Sequence, residues 1–506
     1  MKENNTIRQY KTALIVVSVL LIAALLAQGI YWARANKGSG QTAQSGQTES
    51  TAPPEQAEQS GQAEQQEQAA QPEQPAQAEV SPGSLSREGY TLEQVVVMSR
   101  HNIRSPLSGN GTVLGKVTPH EWFEWSSNPS ELSLRGGAME TLIGQYFRKW
   151  LEAEGLFPEN YHPGQDAVRF YSNSKQRTIA TAQYFMSGLL PTANMQVEYA
   201  VEFDTMDPVF MPKTNFVTEE YTEDVKAQIE ELHGDEIRAL EDNYELIADV
   251  IDFKESEAYK SGEITGFSTD DMEIILAADE EPKMTGSLRT ACSISDALVL
   301  QYYEEPDVEK AAFGHKLTRE QWKEISEVKD LYNDILFATP LLAYNVEHQI
   351  LQEIRSELTA EGREFTFLCG HDSNIAGIAS CLRVSKYSLP ATIETTTPIG
   401  GKIVFSRWRA KDGEELISVD LVYSSAEQLR NLMLLDLANP PFSVPLTLEG
   451  LEQVGEGLYK AEDAIGRLDE AIGEYDKLLE KYGVKEKEPE IIEMPAPEEE
   501  EQDQAA

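Results

Sequence analysis

Apolar runs punctuated by polar turns organise this chain. Residues 95–98 are Val, Val, Val and Met, and they run straight into Ser99-Arg100-His101-Asn102-Ile103-Arg104-Ser105-Pro106. A short β-branched run bounded by polar residues predicts a strand buried on both faces, the habit of a parallel sheet. Residues 168–171 predict a second short strand. It leads into Ser172-Asn173-Ser174-Lys175-Gln176-Arg177-Thr178, where a Ser or Asn can cap a helix that holds Arg177 in its first turn. Residues 365–370 predict a third strand, ending at His371-Asp372-Ser373-Asn374; residues 398–405 predict a turn into a further strand, and 416–422 another strand. Met139, Leu142, Ile143, Tyr146, Trp150 and Leu151 recur at helical spacing.

Between residues 206 and 344 the pattern changes to long, charge-rich, helix-favouring segments with no strong strand signal. The expected fold is therefore an α/β core with a mainly parallel sheet flanked by helices. The core is formed by residues 89–205 and 345–450, and an α-helical cap is inserted at 206–344. Leu451, Val454, Leu458, Ala461, Ile465, Leu468, Ile472, Tyr475 and Leu479 keep a three-four spacing, which predicts an amphipathic helix over 451–483. Packing back on the core is slightly preferred for it over a homodimeric coiled coil, because Gly466 and Gly473 weaken it as an isolated helix.

The ends carry different signals. Residues 1–11 are polar and basic, and 12–33 form an almost wholly apolar run closed by Tyr31 and Trp32. That is close to the ~20 residues needed to cross a bilayer, with the aromatics at the far interface. An uncleaved signal-anchor is expected, giving a single-pass membrane protein with its bulk outside the cytoplasm. The alternative is secretion after cleavage near Ala33-Arg34-Ala35. Residues 34–88 are rich in Gln, Glu, Ala, Ser, Gly and Pro and read as a disordered spacer, and 484–506 as an acidic tail.

Composition narrows the partners. A formal net charge of −44 argues against nucleic acid, whose binding relies on neutralising phosphates. The same charge repels anionic substrates at long range, so a basic cluster must act locally, inside a cleft. Cys292, Cys369 and Cys381 have no metal-type spacing and read as buried free thiols.

In open α/β sheets ligands sit beyond the carboxyl ends of the strands, where Arg100, His101, Arg104, Arg177, His371 and Asp372 would gather. Arginine forks suit phosphate oxygens, so Arg100, Arg104 and Arg177, with His371 as a further donor, would hold a phosphoryl group. His101 would attack it to give a phosphohistidine, and Asp372 would protonate the leaving oxygen and then help activate water. The arginine field should depress the pKa of both His101 and Asp372, and an acid that must be protonated predicts an acidic optimum. Asn102, Leu107, Ser373 and Asn374 lie beside these groups and are candidate substrate contacts.

Arg100-His101-Asn102-Ile103-Arg104-Ser105-Pro106, Arg177 and Gly370-His371-Asp372 resemble the motifs of the histidine acid phosphatases, the group that includes bacterial phytases and glucose-1-phosphatases. The resemblance runs from about residue 90 to 451, taking in Thr397-Pro398-Ile399-Gly400-Gly401 and Ser293-Ile294-Ser295-Asp296-Ala297-Leu298. It implies an α/β core with a helical cap, no metal or other cofactor, a small phosphomonoester as substrate, and the roles just given for the six residues. Two positions depart from the family. Asn102 stands where Gly is usual, which predicts a left-handed turn and a side chain that crowds the substrate. Leu107 stands where relatives with phytase activity often have Thr. Both put phytate preference in doubt more than phosphatase chemistry, and phytate or other inositol phosphates and sugar phosphates are the leading expected substrates. The rival readings are a phosphomutase, a cell-surface binding module in which Asn102 has ended turnover, and a structural spacer protein.

Overall fold

The computed structural model describes residues 83–107, 112–164, 166–455 and 457–485. The apolar segment 12–33, the spacer up to residue 82 and the tail from 486 lie outside the described residues. Among the described residues no helix is long and apolar enough to cross a membrane.

The sheet is built around strand β1 (Thr91–Arg100), whose Val95 to Met98 side chains are wholly buried. Helix α1 (Leu134–Ala153) follows, then β2 (Val168–Ser172) and α2 (Gln176–Leu189). After the cap come α8 (His348–Thr359), β5 (Phe365–Gly370) and α9 (Asp372–Cys381). Strands β6 (Lys402–Arg409), β7 (Glu415–Tyr423), β8 (Phe442–Pro445), β9 (Gln453–Gly455) and β10 (Leu458–Lys460) and helix α10 (Ala461–Lys481) complete the chain. The sheet order is β2-β5-β1-β6-β7-β10-β9, with β8 also paired to β7.

The sheet is mixed, which corrects the expectation of a mainly parallel one. Only β2, β5 and β1 run parallel, joined by helical crossovers. β1 with β6, β6 with β7, and the remaining pairs are antiparallel. Between β6 and β7 the chain has only a tight turn, closed by Ala410 N–H to Glu414 O at 2.9 Å, with Gly413 at φ +95°. Such a connection can join only antiparallel strands.

Period-two alternation divides the apolar residues between two layers. Val95, Val97, Phe365 and Phe367 face α1 and α2, where Phe185 stacks on Phe367 with ring centroids 4.1 Å apart. That layer continues without a break into the cap, as far as Trp322. Val96, Met98 and Leu368 face Ile350, Ile378 and Leu468 on α8, α9 and α10.

The cap holds α3 (Glu219–Arg238), α4 (Glu241–Val250), α5 (Gly286–Glu304), α6 (Arg319–Asn333) and α7 (Pro340–Val346). It also holds a small antiparallel pair, β3 (Ile274–Ile275) with β4 (Lys283–Met284), which the sequence pattern does not announce. At the C-terminus the helix starts at Ala461, not 451, because the chain first forms the edge strands β9 and β10. Its apolar face, including Ala464, Leu468 and Ala471, is covered by this chain's own core, so the seam is not left over for a coiled-coil partner. The spacer also ends earlier than expected: Leu85 is buried and Arg87 pairs with Asp420 at 2.8 Å. Cys292, Cys369 and Cys381 are free, the last two buried.

Candidate active site

Two parallel neighbours deliver the site. β1 and β5 pair in register from Val95↔Phe365 to Arg100↔Gly370, so both chains leave the sheet at one level. The His101 N–H then donates to Gly370 O at 3.0 Å, which holds His101 and His371 side by side with ring centroids 5.5 Å apart.

His101 Nδ1 lies 2.9 Å from the carbonyl of Asn102. A carbonyl only accepts, so the proton sits on Nδ1 and Nε2 keeps a free lone pair. Burial, then Arg177, Arg104, His371 and Arg100, drive the His101 pKa well below the ordinary value, so the imidazole stays neutral and nucleophilic in mild acid.

His371 is fixed by a residue whose role the sequence did not reveal. Asn173, just past β2, directs its Nδ2 to His371 Nε2 at 2.7 Å, while its Oδ1 accepts the Asp207 N–H at 2.9 Å. That second bond settles which way the amide points. His371 Nε2 therefore accepts from Asn173, and the Arg177 guanidinium lies against the other ring nitrogen, with Nη2 3.3 Å from Nδ1. Burial first, then Arg177, lowers the His371 pKa well below the usual value, with Asp372 opposing.

Each arginine is held by a partner of its own. Arg100 Nη1 donates to Thr397 O, Arg104 Nη2 pairs with Asp296 at 3.1 Å, and Arg177 Nη1 donates to Ser130 Oγ at 2.9 Å. Their three Nε–H groups are buried with no hydrogen-bond partner among the described residues. Burial, then Arg104, brings the Arg177 pKa down to about 10, as expected where cations are packed together. Arg177 lies in the first turn of α2, but Lys175, not a Ser or Asn, occupies the cap position, without a side-chain capping bond. Asp204 Oδ1 instead accepts the Gln176 N–H at 3.3 Å.

Asp372 opens helix α9 and forms an ion pair with Arg100, Oδ2 to Nη2 at 2.9 Å. Burial would raise its pKa, but the charges of Arg100, Arg104 and Lys329 outweigh that and hold it well below the usual carboxylate range. Beyond Asp372 a cleft of about 320 Å³ opens under the cap. It is lined by Arg104, Leu107 and Asp372 from the core and by Glu281, Arg289, Asp296, Lys329 and Asp330 from the cap.

Of the four candidate substrate contacts, only Leu107 lines this cleft. Asn102 is wholly buried, and its side chain turns away to Glu140, with Nδ2 to Oε1 at 2.7 Å. It has no left-handed backbone either, since the positive φ falls on Gly400 opposite it. Asn374 is buried, accepting the His371 N–H on Oδ1 at 3.0 Å and donating to Glu347 Oε2 at 3.0 Å. Ser373 is buried too, and its N–H donates to Asp372 Oδ1 at 3.1 Å. These three support the site from behind. Among the described residues no cluster of His, Cys, Asp and Glu has metal-site geometry.

Comparison with known proteins agrees with this geometry. The family profile of the histidine phosphatase superfamily, branch 2, matches residues 91–424. The chain is 37% identical over 369 residues to a glucose-1-phosphatase of Salmonella typhimurium, covering 72% of this chain and 88% of that one. It is 27% identical over 383 residues to a phytase of Escherichia coli, covering 72% and 87%. The phytase of Hafnia alvei superposes with a TM-score of 0.69 at 26% identity, covering 77% of this chain and 98% of that one. The strand-end histidines, the arginine pocket and these likenesses lead to one conclusion: the chain belongs to branch 2 of the histidine phosphatase superfamily, as a histidine acid phosphatase of the phytase and glucose-1-phosphatase type.

Proposed function

We propose that this protein hydrolyses phosphomonoesters through a phosphohistidine on His101. The observation that carries this reading is the free Nε2 lone pair of a neutral His101 among Arg100, Arg104 and Arg177. In the first step Nε2 attacks phosphorus, the ester P–O bond breaks, and the leaving oxygen takes a proton from Asp372. In the second, water attacks phosphorus, the P–N bond breaks, and Asp372 takes the proton back. The Arg100–Asp372 pair defines the order of events. Arriving phosphate competes for the Arg100 fork, which frees Asp372 and raises its pKa beside a dianion.

The cleft favours a sugar phosphate over phytate. Arg104 is paired with Asp296, and Lys329 with Asp330 at 2.5 Å; of the other charged residues lining the cleft Arg289 is positive and Glu281 and Asp372 are negative, so among the described residues it has no surplus of positive charge for further phosphates. Paired charges and carboxylates instead suit the hydroxyl groups of a neutral leaving group. We place the enzyme outside the cytoplasm, tethered by residues 12–33, on the basic start, the apolar run and the spacer that follows. The binding-module reading loses its basis, since Asn102 points away from the cleft.

The deciding experiment is phosphate release by the purified full chain, with EDTA present, from glucose 1-phosphate, phytate and p-nitrophenyl phosphate across acidic to neutral pH. Acid-optimal release, fastest on glucose 1-phosphate and abolished in His101→Ala, is expected. Ordinary turnover by His101→Ala would overturn the nucleophile, and preference for phytate would overturn the substrate class. Digestion of the catalytic domain by protease added to intact cells checks export, and protection would refute it.

A further inference from the structure

Behind the nucleophile, on the side away from the cleft, lies a buried charged cluster that the hydrolysis steps do not use. Glu140 of α1 and Lys402 of β6 are both 0% exposed, with Lys402 Nζ 3.0 Å from Glu140 Oε1. Lys402 Nζ also donates to Gly400 O at 2.8 Å. An ion pair so deep is commonly no more stable than an apolar pair of the same volume, so stability alone does not explain it.

The cluster meets the chemistry at Asn102. Glu140 Oε1 accepts from Asn102 Nδ2 at 2.7 Å, and Asn102 Oδ1 accepts the Ile103 N–H at 2.8 Å. The Asn102 N–H donates to Thr181 Oγ1 at 3.3 Å. With its amide side chain and its peptide N–H both held, the Asn102 carbonyl lies 2.9 Å from His101 Nδ1, in the bond that sets the tautomer. The opposing backbone is cut to fit. Gly400 has φ +67°, and a Cβ there would stand 2.5 Å from Asn102 Nδ2. Glycine at position 102 would offer Glu140 no side-chain donor.

We propose that Glu140, partnered by Lys402, is a positioning residue for His101. It clamps Asn102, whose carbonyl keeps the imidazole proton on Nδ1 and aims Nε2 at phosphorus. The proposal rests on His101 being the nucleophile. Asn102 replaces the freedom of a glycine with a tether that reaches into the core.

The test uses the full chain and p-nitrophenyl phosphate, read by pre-steady-state nitrophenol release and by trapping of the acid-labile phosphoenzyme. Asn102→Ala leaves the ion pair in place, so folding does not mask the result. Phosphoenzyme formation and kcat should fall about 10²-fold, the size of effect that a small misplacement of a reacting group produces. KM and inhibition by inorganic phosphate should hold, because the arginines still bind the anion. Glu140→Leu with Lys402→Met, which removes both charges and the acceptor, should match Asn102→Ala. Glu140→Gln with Lys402→Met, which restores the acceptor alone, should recover most of the rate. A purely structural cluster would leave the Leu and Gln doubles equal in rate, and that equality, or a wild-type rate of phosphoenzyme formation in Asn102→Ala, would overturn the proposal. Turnover that survived His101→Ala would instead overturn the mechanism beneath it.

Discussion

The ends of β1 and β5 carry out similar work with differently charged supports. Each strand delivers a histidine to the site, and each is followed by an asparagine whose amide donates to a buried glutamate: Asn102 to Glu140, and Asn374 to Glu347. Glu140 has Lys402 beside it: burial raises its pKa, and the lysine and the Asn102 amide offset part of that rise. Glu347 is equally buried, with no cation on it among the described residues, and burial pushes its pKa up to about 8, only the Asn374 amide opposing. One support is half of an ion pair, while the other is a neutral acid over the whole acidic range. A buried carboxyl can thus serve as a hydrogen-bond acceptor in either protonation state, and the neighbouring cation decides which.

The two ends should respond differently when altered. The largest effect is expected at the β5 end, where Asp372→Asn removes the proton donor. Loss of a general acid costs ~10²–10⁴-fold, and most where the leaving group is poor. Alkyl phosphates should therefore lose far more rate than p-nitrophenyl phosphate, and equal losses would sink the assignment. At the β1 end the vulnerable point is the ion pair. Lys402→Met strands the Glu140 carboxylate in the core and should cost ~3–5 kcal/mol of stability. Thermal denaturation would read this as a large fall in Tm, and an unchanged Tm would show that the pair is dispensable to the fold.

These supports were also what the sequence concealed. The β1 and β5 runs and the residues at their ends could be read because their pattern is local: a β-branched stretch, then Arg-His, then His-Asp. Asn102 to Glu140 and Glu140 to Lys402 are contacts between elements distant in sequence, and no local pattern announces them. The available signal was a charged residue next to Met139 on the apolar face of α1, which is legible only once that face is known to be buried. The left-handed turn expected at Asn102 was a sound inference from residue type, but Gly400, in the turn before β6, takes the positive φ instead. The antiparallel half of the sheet was open to inference, since Asp412-Gly413 between two strands is a hairpin signal. Val454 and Leu458 fit helical spacing and strand pairing alike, so spacing could not expose the edge hairpin there.

A pH-dependent effect sharpens the contrast most. Glu347 has a folded-state pKa of about 8 against an ordinary value of about 4.3, so between those values the folded protein holds a proton that the unfolded chain has released. Fewer protons on the unfolded state make stability fall as pH rises. The contribution is complete below the unfolded pKa and is lost as pH climbs through the folded one, at up to ~1.4 kcal/mol per pH unit. Asp334 in the cap, also pushed up to about 8 by burial and Asp330, adds the same sign of slope but cancels between proteins that differ only at 347. Glu347→Gln keeps an acceptor for the Asn374 amide and has no proton to lose. It should equal the wild type in activity, and in Tm near pH 4, then become progressively the more stable protein as pH rises toward about 8. Parallel Tm–pH curves for the two proteins would mean that Glu347 is ionised in the folded state, and the two ends of the site would then be supported alike.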